Sequence, residues 1–266
     1  MGFSTKAGAA TASGDAVPEP VLDVCQTISC DLTSLTNKPA VTTILMALGD
    51  ESDSQLVVNG ASAQLVAESI IRYTSPKTKP RILLIHDYNS QSESPTDFAY
   101  TASLLERFEV VRLNEPADGV RAKDLEGFDV IWLSNPGHPM NSSKTRDALI
   151  AFTGGVVLQG DDMSIGQNFD NSALTGLKTI DNGTSVTCGG KSYNHDDNAG
   201  EKYRVSLNQD KIPGVDSSTI EFRYGNDIDK TTPIRKDLEV LATAKGGPAS
   251  CVEDRPAIVR YTKAAL

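Results

Sequence analysis

Three short apolar runs, each ending abruptly in polar residues, constrain this chain more than any other feature. Ile82-Leu83-Leu84-Ile85 gives way to His86-Asp87-Tyr88-Asn89. Val130-Ile131-Trp132-Leu133 gives way to Ser134-Asn135-Pro136-Gly137-His138, and Val156-Val157-Leu158 to Gln159-Gly160-Asp161-Asp162. Unbroken aliphatic and β-branched runs of this length suit strands buried on both faces, as in a parallel sheet. Helix-like stretches separate them, so the pattern predicts a flavodoxin-like α/β fold: an open parallel sheet with helices on both faces. Ligands of such sheets bind beyond the carboxyl ends of the strands. Here every one of those ends is polar.

The flanking chain fills in around this centre. Residues 1–22 read as a flexible tail, rich in Ala, Gly, Ser and Thr and leading into Pro18-Glu19-Pro20. Residues 23–75 form an N-terminal segment, with Val41–Leu48 as either a strand or a short helix. Ala61–Tyr73 is expected to be a helix packed through Leu65, Val66, Ser69, Ile70 and Tyr73, with Ser62 near its start and Pro76 after its end. An α/β domain is expected over 76–266. Within it, Asp97–Glu106 is predicted as the first crossover helix and Phe108–Leu113 as the second strand. Ala122–Leu125 reads as a helical turn. A helix capped by Ser142 or Ser143 runs to about Phe152, where Gly154-Gly155 stops it. Residues 167–235 are an insertion rich in Gly, Asn, Asp, Ser and Thr. Its short alternating stretches, Tyr203–Leu207 and Thr219–Phe222, read as antiparallel strands or loops covering one end of the sheet. Strands are expected again at Asp237–Ala244 and Pro256–Tyr261.

Charge and cysteine usage narrow the function classes. A formal net charge of -10 repels nucleic acid and anionic membranes, and no basic stripe offsets it. No apolar run approaches the ~20 residues of a membrane span. The four cysteines, Cys25, Cys30, Cys188 and Cys251, match no zinc spacing. They fit two disulfides, Cys25–Cys30 and Cys188–Cys251, and fit four buried thiols nearly as well. Disulfides would place the protein in an extracellular or periplasmic setting. Met1–Lys6 shows no apolar signal region, so the chain is expected to be a fragment or processed form of an exported, larger protein.

Several segments carry a family resemblance. They are Arg81-Ile82-Leu83-Leu84-Ile85-His86-Asp87, Leu125-Glu126-Gly127-Phe128-Asp129-Val130-Ile131-Trp132, Leu149-Ile150-Ala151-Phe152-Thr153-Gly154-Gly155-Val156-Val157-Leu158 and Arg255-Pro256-Ala257-Ile258-Val259-Arg260-Tyr261. Together they resemble the class I glutamine amidotransferase-like superfamily, within it the ThuA-like (trehalose utilisation) branch. True members place a nucleophilic Cys on the sharp turn after the pocket strand. Here that turn reads Gly160-Asp161-Asp162-Met163-Ser164 and holds no Cys. Ser164 lacks the Gly-x-Ser-x-Gly elbow a serine nucleophile needs, because Asp162 stands where the first glycine should be. The resemblance thus implies the fold, and the departure argues against glutamine hydrolysis.

The candidate site is Asp87, Asn135, His138, Asp161 and Asp162, all expected at the carboxyl edge. Oxygen-rich sets with one imidazole suit a divalent metal such as calcium, or the hydroxyls of a sugar. The bland alternative is that the acids and Asn cap helices while His138 sits in an Asn-Pro-Gly turn. Adjacent acids at 161 and 162 are harder to dismiss, since like charges repel unless neutralised. If the edge is catalytic, His138 with Asp161 or Asp162 is the acid–base pair available. His86 alternates with Asp87, so one of the two points away, and a structural His86 is expected. Asn226, Asp227 and Asp229 resemble part of a calcium loop without its terminal Glu, as does Asn194–Asn198. Three functions compete: a non-catalytic or weakly catalytic binding module for carbohydrate or another small polar ligand, a ThuA-like hydrolase or isomerase, and a structural surface protein.

Overall fold

The structure is a computed structural model that describes residues 42–46, 60–86, 105–134, 140–160, 168–181, 185–194, 203–207, 219–222, 230–246 and 252–262. In chain order the main elements are β1 (Thr42–Met46), α1 (Gly60–Thr74), β2 (Arg81–His86), β3 (Glu109–Asn114), a 3-10 turn at Ala122–Leu125 and β4 (Val130–Ser134). There follow α2 (Ser143–Ala151), β5 (Gly155–Gln159), α3 (Ser172–Thr175), β6 (Leu177–Asp181), β7 (Ser185–Cys188) and β8 (Lys191–Asn194). The last five are β9 (Tyr203–Leu207), β10 (Thr219–Phe222), β11 (Lys230–Pro233), β12 (Glu239–Gly246) and β13 (Val252–Thr262).

One nine-stranded sheet in the order β10-β9-β12-β13-β1-β5-β4-β2-β3 organises the molecule. The three apolar runs are β2, β4 and β5, adjacent and parallel, in the order expected of a flavodoxin-like sheet. β3 joins β2 in parallel and β1 joins β5 in parallel. The remainder corrects a purely parallel reading: β13 runs antiparallel to β1, and β12, β9 and β10 continue in antiparallel fashion. Thus β9 and β10 extend the sheet sideways and do not cover one of its ends. β1, from the segment ahead of the core, is hydrogen-bonded inside the sheet between β13 and β5. Short β6–β11 and β7–β8 pairs stand apart from it. Of the crossover helix expected at 97–106, only Leu105 and Glu106 are described, and both lie in a turn.

Alternation along the parallel strands sorts their side chains onto two faces. On one, Leu83, Ile85, Ile131, Leu133, Val156 and Leu158 form a core with Ala148 and Leu149 of α2. On the other lie Ile82, Leu84, Val130, Trp132 and Val157, all fully buried or nearly so. α1 packs on that second face; from residue 67 on, its buried positions are Ala67, Glu68, Ile70, Ile71 and Thr74, while Ser69 and Tyr73 are half-buried. Of the expected stripe, Ile70 is buried and Ser69 and Tyr73 are half-buried, the side chains of Leu65 and Val66 lie outside the described residues, and Gly155 lets the helix end come down on β5. A Cβ at Gly155 would lie 2.3 Å from the Thr74 carbonyl oxygen.

The amino ends of the strands are pinned by Asp129. Its carboxylate accepts from the Arg81 backbone N–H at 2.9 Å and pairs with Lys77 at 2.6 Å. Its backbone carbonyl accepts from Gly155 N–H at 3.0 Å. Burial pushes its pKa up, but the Lys77 and Arg81 contacts outweigh that and hold it below the ordinary carboxylate value. Ser142 caps α2, accepting from the Lys144 N–H at 3.3 Å, and Phe152 closes it.

Candidate functional site

Register partners in a parallel ladder share a face, so the carboxyl edge can be read across as one row. That row is Asn114, His86, Ser134, Gln159 and Met46 on β3, β2, β4, β5 and β1. With adjacent strands about 4.8 Å apart, Asn114 and Gln159 are separated by roughly 14 Å. The chain leaves β2 for β3 on one side and reaches β4 on the other, so strand order reverses between β2 and β4. Crevices form at such switch points. His86 and Ser134 are the last residues of those two strands.

Ser134 is fully buried, and its hydroxyl has no hydrogen-bond partner. A buried polar atom left unmade costs about 1–3 kcal/mol, so native folds rarely tolerate one without a use. Beside it, Gln159 accepts from the Trp132 indole N–H at 2.8 Å, which fixes the amide at the end of β5. Gly160 follows with φ 145°, a value that lets the chain turn off the strand where a Cβ would resist. His86 is 8 % exposed, and burial lowers its pKa from the ordinary 6.5, favouring the neutral imidazole.

That shift has a direction in stability. The folded chain holds His86 neutral more firmly than the unfolded chain does, so the unfolded state takes up the proton first as pH falls. Stability is therefore lost below pH 6.5 and levels off once the lowered folded pKa is passed. Thermal midpoints of wild type and His86→Gln from about pH 8 to about pH 5 test this. The wild-type curve should fall more steeply, and parallel curves would remove His86 as the cause.

On the other face of the same edge sits Glu115, 2 % exposed, whose N–H donates to the His86 carbonyl at 2.7 Å. One carboxyl oxygen accepts from the Thr145 hydroxyl, and the other is buried with no partner. Thr145 Oγ1 in turn accepts from the Val120 N–H at 2.9 Å. Since Thr145 lies in the first turn of α2, the acid stands at the positive end of that helix.

Asp87, Asn135, His138, Asp161 and Asp162 all fall outside the described residues, as do Asn226, Asp227 and Asp229. In sequence, Asp87 follows His86, Asn135 follows Ser134 and Asp161 follows Gly160. Among the described residues, no group of three His, Cys, Asp or Glu side chains could hold a metal ion. Cys188 is disulfide-bonded, while Cys25, Cys30 and Cys251 lie outside the described residues. Also among the described residues, no helix is long and apolar enough to cross a membrane. Sequence alone does not single out Ser134, Gln159 and Glu115. The signal it offers is a polar residue ending or just following a buried run, and that looks the same as the start of a loop.

No protein-family model matches the chain, and no curated protein does. Among solved structures it is similar to a Thermoplasma acidophilum protein described as a GMP synthase subunit, at 16% identity and a TM-score of 0.37. That overlap covers 68% of this chain and 83% of the other. A likeness of this size carries no argument, and the fold rests on strand order and register.

Proposed function

We propose that this chain is a non-catalytic or weakly catalytic binding module of the amidotransferase-like, ThuA-like kind, from an exported protein, with carbohydrate or a similar polyol as its ligand. The observation that carries this reading is the unpartnered, fully buried Ser134 hydroxyl at the switch point, between His86 and Gln159 in register. A hydroxyl that can both donate and accept suits a ligand rich in the same group. Two further facts support the reading. The turn after β5 carries Gly160-Asp161-Asp162 and no Cys, which removes the amidotransferase nucleophile. The disulfide at Cys188 fits an oxidising compartment. Asp87, Asn135, Asp161 and Asp162 are the proposed polar neighbours, with His138 and the acid pair as the proposed groups for any residual chemistry.

Isothermal calorimetry with a panel of neutral sugars tests the proposal. Ser134→Ala should keep the fold and raise its stability by up to about 1–3 kcal/mol, because it removes a buried hydroxyl that makes no bond. It should weaken ligand binding by up to about tenfold, the worth of one hydrogen bond. Asp161→Asn with Asp162→Asn should abolish binding and keep the fold. Unchanged affinity in both variants would take the site away from this edge.

A further inference from the structure

Resting on the reading just proposed, we infer that Trp132 sets the hydrogen-bond polarity of the site: Gln159 meets the ligand as a donor, and the ligand hydroxyl it meets is taken as an acceptor. Trp132 pairs in register with Val157 of β5, and Gln159 lies two residues further along that strand on the same face, roughly 6.6 Å nearer the carboxyl edge. The indole bridges that step, its N–H donating to Gln159 Oε1 at 2.8 Å. An indole N–H can only donate, so the amide atom facing it has to be the oxygen. Turning the amide over would set its NH2 group against the N–H, donor to donor. With Trp132 only 1% exposed, the indole would then be a buried donor that has lost its acceptor.

Gln159 itself is half-buried and is the register partner of Ser134, one strand and about 4.8 Å away in the edge row. One small ligand can therefore meet both side chains. The two differ in kind. The Ser134 hydroxyl, which has no partner in the fold, can answer either a donor or an acceptor on the ligand. With its oxygen turned to the buried indole, Gln159 offers its NH2 group and is matched by an acceptor. Trp132 is thus a positioning residue. It lies below the edge and acts on the ligand through the amide it orients, which makes one of the ligand's hydroxyls distinguishable from the rest by polarity.

Calorimetry on the full chain identifies which of glucose, galactose and mannose binds tightest, then compares that sugar with its monodeoxy and monodeoxyfluoro analogues. Fluorine in place of a hydroxyl accepts a hydrogen bond weakly and cannot donate one, and hydrogen does neither. At one position, hydrogen should weaken binding by at least about tenfold and fluorine should recover at least about threefold of that loss. In Trp132→Phe, with the fold checked by circular dichroism, the fluorine advantage there should shrink below about twofold, because the N–H that orients the amide is gone. Gln159→Glu places a carboxylate that only accepts, and it should bind the fluoro analogue no better than the deoxy one. A purely structural Trp132 would weaken all the analogues alike, so an advantage that survives Trp132→Phe overturns the inference. So does an advantage that survives Gln159→Glu, which carries the test alone if Trp132→Phe does not fold. A wild type that prefers fluorine to hydrogen at no position overturns it too, and in each of these cases the proposed function stands, since a sugar still binds. If none of the three sugars binds, the proposed function falls and this inference falls with it.

Discussion

Trp132→Ala should lower the stability of this chain by about 3–5 kcal/mol, the usual cost of deleting a fully buried large aromatic. Trp132 is 1% exposed and sits mid-strand on β4, between Leu84 of β2 and Val157 of β5. Removing the indole opens a void on that face of the sheet and deletes the N–H that Gln159 accepts at 2.8 Å. Trp132→Phe separates the two losses, since it refills much of the space but cannot donate. It should cost clearly less than the alanine, while releasing the end of β5. Chemical denaturation read by circular dichroism measures both, and a loss under about 1 kcal/mol for the alanine would mean the ring is not packed as described.

Gly155→Ala should carry the next largest loss, for a single added methyl. Its Cβ would stand 2.3 Å from the Thr74 carbonyl oxygen and 2.5 Å from the Thr74 Cβ. The nearest atom is backbone, so no side-chain rotation relieves the contact, and the end of α1 must lift from the sheet. Overpacking of this kind costs about 1–3 kcal/mol. The effect should spread, because Tyr73 at the same end of α1 lies under Arg260 of β13, whose guanidinium stacks 4.5 Å from its ring. Gly189→Ala is the control. Gly189 has φ 59° with nothing within 4 Å of the added carbon, so only the backbone penalty applies. A loss under about 1 kcal/mol for Gly155→Ala would argue against the close approach of α1 to β5.

Local chemistry explains which parts of this fold can be read from the chain alone. The runs at 82–85, 130–133 and 156–158 are continuous and apolar because both sheet faces are covered, and each emerges within one strand. Ser142 capping α2 and the 3-10 turn at Ala122–Leu125 are likewise short-range features. Long-range pairing is different. Nothing near Thr42–Met46 says that it joins β5 in parallel and β13 in antiparallel register, because those partners are over a hundred residues away. The close approach of α1 to the sheet is hidden for a related reason: it depends on Gly155, on a strand distant in sequence from the helix.

The site is half legible by the same logic. Polar residues at strand ends point to the carboxyl edge, and β2, β4 and β5 do end there side by side. Sequence assigns His86 a structural place, yet it lies in the edge row beside Ser134, on the opposite face from Glu115. Ser134 and Glu115 cannot be picked out, because a buried polar atom without a partner is a property of packing and leaves no mark in sequence.

The most direct test of a ligand site at this edge is the backbone amide NMR spectrum recorded during titration with glucose, fructose and glycerol. If the account holds, binding of any one of them moves the amides of Asn114, His86, Ser134 and Gln159 together and leaves Arg81, Asp129 and Gly155 at the opposite ends in place. Shifts centred on Arg81, Asp129 and Gly155, or none at the four strand ends at saturating ligand, would contradict it.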